Sequence, residues 1–228
     1  MAVFPVWLDL LCAVTLLIGA ACAVVILIDV LRHPQHMGIM NVVWPVCALF
    51  GTLFILWLYY QYGRDSRPQP YAISVAKGSL HCGSGCALGD IVAEWLAYAV
   101  PGIAIAFGWQ TLFDEKTFAV WILDLLVAFA IGIVFQYFAI APMRNLTPAQ
   151  GIVAALKADA LSLLSWQLGM YGLMAIFQFL VFPRHFGGPA PVDSVEFWGA
   201  MQLAMIAGFM TSFPMNWWLI RAGIKEAM

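Results

Sequence analysis

Six stretches of this chain are too long and too apolar for a water-soluble core: residues 7–31, 40–62, 86–109, 118–141, 159–182 and 197–220. A helix needs roughly 20 mostly apolar residues to cross a hydrocarbon layer about 30 Å thick. In lipid every backbone polar group must be satisfied internally, so runs of this kind point to helices. The expected fold is therefore all-α, an integral membrane bundle of six transmembrane helices. Only 10% of the residues are charged, against about 25% in a soluble domain. A formal net charge of −2 gives no reason to expect a nucleic-acid partner. The partner expected first is the lipid bilayer. The first run has no Lys or Arg before it and exceeds a signal-peptide core in length, so it reads as a retained helix. No segment between the runs is long enough to fold alone, which makes residues 1–228 one membrane domain.

Six crossings put both termini on one side, together with the second and fourth loops. That side holds Arg64, Arg67, Lys77, Arg144, Lys157, Arg221 and Lys225, against Arg32, Lys116 and Arg184 on the other. Cytoplasmic loops carry the excess of basic residues, so both termini are expected in the cytoplasm of a multi-pass protein of the cell (inner) membrane. The longest loop spans residues 64–85 and contains the turn-rich Arg67-Pro68-Gln69-Pro70. Thr147-Pro148-Ala149-Gln150 reads as a helix start with a capping box. The Asn145-Leu146-Thr147 sequon falls on the cytoplasmic side, where no glycosylation is expected. Pro142-Met143-Arg144-Asn145 and Pro214-Met215-Asn216 form a faint internal echo best read as chance.

The chemistry-bearing segment is His81-Cys82-Gly83-Ser84-Gly85-Cys86, followed by Asp90 and Glu94. Cys82, Cys86, Asp90 and Glu94 recur every four residues, so on a continuous helix they share one face. If the helix begins near Ser84 instead, Cys86 lies in its first turn. There the helix dipole favours a thiolate, and His81 and Cys82 fold over it from a glycine loop. Either way His81, Cys82 and Cys86 can converge at the cytoplasmic edge, with Asp90 next along the stripe. Such ligands suit Cu(I) or Zn(II). A helix starting there puts Glu94 roughly 12–13 Å deep, near mid-bilayer, where carboxylates mark ion or proton routes by default. Asp124, about 10 Å in from the outer side, Asp159 at the start of the fifth span and Asp29 near the outer end of the first extend that route. The plainer reading makes these carboxylates glue between helices through Gln136, Gln167 or Gln202. His33, His36 and His185 are expected outside as bystanders. The methionines of the last two spans, with Cys12, Cys22 and Cys47, are expected to be packing.

The His81–Cys86 motif with Gly89-Asp90 and Glu94-Trp95, the segment Phe135-Gln136-Tyr137-Phe138-Ala139-Ile140-Ala141-Pro142-Met143-Arg144, and Lys157-Ala158-Asp159 together resemble a family of small prokaryotic membrane proteins known as a domain of unknown function. So does the ending from Pro214-Met215-Asn216-Trp217-Trp218 to Met228. The resemblance covers about residues 80–228 and leaves a two-helix segment over about residues 1–63. It implies a polytopic membrane protein and supplies no activity.

The leading expectation is a protein that handles or transports a soft metal ion. His81, Cys82, Cys86 and Asp90 take the ion, and Glu94, Asp124 and Asp159 relay it or a compensating proton. One alternative is a thiol-redox protein using Cys82 and Cys86, although such enzymes more often use C-x-x-C. Another is a structural subunit of a membrane complex. A metal donor or a second copy of the chain would be a further partner. No phosphate loop, nucleophile elbow or H-E-x-x-H is present, so those chemistries are set aside and no catalytic residue is assigned.

Overall fold

The computed structural model describes residues 2–64, 69–144 (backbone alone from 141) and 147–226. Arg67 and Pro68, the Asn145-Leu146 part of the sequon and echo, and the closing Ala227-Met228 lie outside these residues. Among the described residues no strand forms. The helices are α1 (Val6–Arg32), α2 (Met40–Leu58) with a π-helical extension (Tyr59–Gly63), α3 (Tyr71–Ala99), α4 (Pro101–Ala106), α5 (Lys116–Arg144), α6 (Pro148–Ala175) with a π-helical turn (Ile176–Val181), α7 (Phe182–Phe186) and α8 (Val195–Arg221). Five segments are long and apolar enough to cross a membrane: Val6–Arg32, Met40–Gly63, Lys116–Ile140, Pro148–Phe186 and Val195–Arg221. The all-α membrane class expected from the apolar runs is the class observed. α6 starts as expected, with Pro148 in its first turn and the Thr147–Gln150 capping box formed.

The second apolar run departs from expectation because α2 does not continue straight. Thr52 has φ 46° and ψ −129°, a non-helical conformation inside the helix. The chain turns back there, so residues 40–51 and 53–63 lie side by side. The Trp44 and Tyr59 rings meet edge to face at 5.6 Å. A Cβ on Gly63 would lie 3.1 Å from the Trp44 ring. Arg64 Nε sits 3.2 Å from Asp29 Oδ2 at the end of α1, and Tyr59 donates to the same oxygen at 2.6 Å. Each arm is about 18 Å long, too short to cross. Broken backbone at this depth is tolerated only when protein buries it. Gln202 of α8 supplies a donor to the Leu49 carbonyl at 2.7 Å. Gly19 of α1 makes room for the tip, since a Cβ there would come within 2.5 Å of the same carbonyl.

This re-entrant hairpin changes the topology. Val3 N–H donates to Phe186 O at 2.9 Å, Lys116 reaches Ala97 O at 2.9 Å and Tyr98 reaches Asp193 at 2.9 Å. These contacts gather one end of the bundle, the Val3 end. Tyr71 donates to Trp217 O at 3.2 Å and Lys225 to Gly78 O at 3.4 Å, gathering the other, the Lys225 end. Among the described residues α1, α3, α5, α6 and α8 run from end to end, and α2 does not. Val3 and Lys225 therefore lie at opposite ends of the bundle, where six crossings would bring them to the same end. Asp29, His33 and His36 share the Lys225 end with Arg64, while His185 lies at the Val3 end, so these histidines are not three neighbours on one side.

The third run is also displaced. α3 begins directly after Gln69-Pro70 and extends through the segment expected to be a glycine loop, then breaks at Val100-Pro101. Glycines weaken a helix in isolation, yet small residues let membrane helices approach closely. A Cβ on Gly89 would lie 2.7 Å from Ala128 Cα of α5, and one on Gly85 3.0 Å from Gly132 Cα. Gly83 lies under the Trp166 ring of α6, where no Cβ fits. Close packing against α5 and α6 thus holds as helix what local propensity reads as loop.

Candidate functional site

Because α3 is continuous, Cys82, Cys86, Asp90 and Glu94 form one stripe, and all four are buried. Their depth differs from expectation. Cys82 and Cys86 stand near the middle of α3 and not at its first turn. Glu94 is only about 7–8 Å from the far end of the helix at Ala99. The stripe meets two polar groups about 12 Å apart along the helix axis.

The group toward the Lys225 end centres on Asp159 of α6. Lys225 lies beyond α8, after a turn in which Gly223 takes φ 70°, and folds back into the bundle. Its Nζ is 2.6 Å from Asp159 Oδ1, and both side chains are fully buried. The same ammonium is 3.0 Å from Cys82 Sγ. Cys82 lies 2.7 Å from Asp159 Oδ1 and 2.9 Å from Ser162 Oγ. Asn216 of α8 donates to Ser162 Oγ at 2.6 Å and to Ser212 Oγ at 2.8 Å. An ion pair taken out of water persists only with such added hydrogen bonds.

The group toward the Val3 end joins Asp90 of α3 to Asp124 of α5 through a hydrogen bond between their carboxyl groups. Tyr171 of α6 donates to Asp124 Oδ2 at 2.5 Å, and Gln167 does so at 3.3 Å. Trp121 stacks on Tyr171 with centroids 4.6 Å apart, which fixes the phenol. Gln167 Oε1 is buried without a hydrogen-bond partner. Glu94 stands one turn further out, 6% exposed. Cys86 occupies the stripe between the two groups, four residues from Cys82 and four from Asp90.

The expected ligand set does not come together. His81 is about 100° round the helix from Cys82, its ring against Phe135 at 6.2 Å, and neither ring nitrogen has a hydrogen-bond partner. Among the described residues no group of three or more His, Cys, Asp or Glu side chains is arranged to hold a metal ion. Asp29 pairs with Arg64 and Tyr59 at the Lys225 end, away from the Asp90–Asp124 group. Of the expected glue residues, Gln167 binds Asp124, Gln202 caps the α2 break, and Gln136 Oε1 has no partner.

Sequence reasoning counted Lys225 only as a surface charge, and passed over Tyr171. Asn216 drew notice through the Pro-Met-Asn echo and the family-like ending, with no role attached. No local signal marks Lys225, because only the turn after α8 brings it inside. No curated protein and no solved structure matches this chain. A family model matches residues 73–225, which span α3 to the buried Lys225 and hold both polar groups but not the re-entrant hairpin. The chain belongs to the family described as a domain of unknown function, DUF4396.

Proposed function

We propose that this is a polytopic membrane transport protein that moves a proton or small cation along the buried stripe of α3. The observation that carries this reading is the pair of buried polar groups on one helix face, Cys82–Asp159–Lys225 and Asp90–Asp124, linked through Cys86 and continued by Glu94. Ionisable side chains inside a membrane bundle are costly and mark conduction paths by default. The broken helix α2 supports the same reading, since interrupted helices at membrane depth accompany transport sites. With five passes, the Lys225 end holds Arg32, Arg64, Lys77, Arg144, Lys157, Arg221 and Lys225, and the Val3 end holds Lys116 and Arg184. That distribution favours a cytoplasmic C-terminus and an external N-terminus.

The soft-metal and thiol-redox readings both require Cys82 to leave its contacts with Asp159, Ser162 and Lys225. No contact in the bundle favours either over the carboxylate route. The test is flux in proteoliposomes, followed with an enclosed pH dye and with cation replacement outside. Wild-type protein should dissipate an imposed gradient. Glu94→Gln should fold and insert normally but lose most of that flux. Full flux in Glu94→Gln protein would reduce the residue to scaffolding.

A further inference from the structure

Asp29, near the end of α1, uses both of its carboxylate oxygens. Oδ1 lies 3.3 Å from His33 Nδ1. Oδ2 takes Arg64 Nε at 3.2 Å and the Tyr59 hydroxyl at 2.6 Å. His33 and Arg64 thus each spend one nitrogen on Asp29, which leaves Nε2 of His33 and both Nη of Arg64 for another partner. The same two side chains line a cavity of about 380 Å³ at the Lys225 end, together with His36 from the α1–α2 turn and Lys77 from α3. Met40 and Trp44 contribute apolar wall. The turn is pinned, since Gln35 N–H donates to Asn41 Oδ1 at 2.9 Å, and the Arg64 guanidinium lies 5.8 Å from the centre of the Tyr60 ring. Among the described residues that line the cavity there is no carboxylate, and Asp29 stands behind it. A cytoplasmic bias in Arg and Lys accounts for basic residues at this end. It does not account for two of them converging with two imidazoles on one cavity, with a carboxylate behind that fixes their orientation.

We propose that this cavity binds a phosphate group, presented by a phospholipid headgroup or by free phosphate. Arginine's planar fork matches phosphate oxygens two at a time, and a guanidinium held at Nε offers its Nη pair to such a ligand. Lys77 adds a compact charge, and His33 and His36 add donors when protonated. Two permanent cations beside the imidazoles disfavour a metal ion, the other ligand that paired histidines suggest. The volume falls in the roughly 300–1,000 Å³ range of small-ligand sites. The side chains of His33 and Arg64 are 55% and 39% exposed, so the cavity opens to water and the headgroup layer. His33, His36 and Arg64 precede the family-matched residues 73–225. The site is therefore built by the N-terminal segment against α3, apart from the Asp90–Asp124 group, and it holds whether or not the bundle conducts.

Thermal unfolding of the purified protein in detergent reads this binding. One arm compares sodium phosphate with sodium chloride at equal ionic strength and pH. The other compares micelles doped with phosphatidylglycerol against micelles doped with diacylglycerol, which lacks the phosphate. The expected result is a saturable rise in Tm, about 5–10 °C at a hundred-fold excess over Kd, in at least one arm. A rise in the lipid arm alone names a headgroup as the source, and a rise with inorganic phosphate shows that the free anion suffices. Lys77→Gln should remove the rise, and His36→Gln carries the test should that variant misfold. Arg64 is left in place, because its loss would also unpair Asp29. Arg221→Gln, which removes a charge at the same end but outside the cavity, should keep the rise. No rise in either arm overturns the proposal, as does a rise that survives both Lys77→Gln and His36→Gln. A response that Arg221→Gln weakens as much as Lys77→Gln does would be diffuse surface charge, and overturns it equally.

Discussion

Trp44 and Tyr59 belong to one apolar run, yet their rings touch at 5.6 Å, whereas a continuous helix would hold them about 22 Å apart. That single contact converts an expected crossing into a re-entrant hairpin. It also goes with Val3 lying at the opposite end of the bundle from Lys225.

Reporter fusions test the topology directly. A fusion at the C-terminus should read cytoplasmic, while fusions at the N-terminus and at Gly188 should both read external. An N-terminal reporter on the same side as the C-terminus would mean that α2 crosses after all.

Thr52 holds the hairpin at φ 46°, ψ −129°, a region that L-residues with a branched Cβ occupy only under strain. Thr52→Gly should relieve about 1 kcal/mol and raise the unfolding midpoint in micelles. Thr52→Pro, whose ring fixes φ near −65°, should lower it sharply. A glycine variant less stable than wild type would locate the strain elsewhere.

The buried Lys225–Asp159 pair predicts a non-additive double mutant. Lys225→Met leaves a buried carboxylate unpaired and should cost about 3–5 kcal/mol. Adding Asp159→Asn should return most of that loss, because neither charge is then stranded. Losses that simply add would show that the two side chains do not meet in the folded protein.

Gly89 meets the α5 backbone where a Cβ would lie 2.7 Å from Ala128 Cα. Gly89→Ala should therefore push α3 from α5 and cost about 1–3 kcal/mol as an overpacking change. Gly102, with open space around it, is the matched control, and Gly102→Ala should be near neutral. Equal effects at the two positions would deny the close helix contact.

The amino-acid sequence by itself determined the membrane class, because only helices satisfy backbone polar groups across long apolar runs. It also determined the four-residue stripe from Cys82 to Glu94, which any continuous helix must bring to one face. Three further matters belonged to the tertiary structure. Whether Gly83, Gly85 and Gly89 sit in helix or loop depends on α5 and α6 pressing against them, a contact that local propensity does not register. Whether residues 40–63 cross or turn back depends on Gln202 of α8 being placed to take the Leu49 carbonyl freed at the break. Lys225 reads as a surface charge until the turn after α8 delivers it to Asp159, because an ion pair between distant segments leaves no periodic trace in either one.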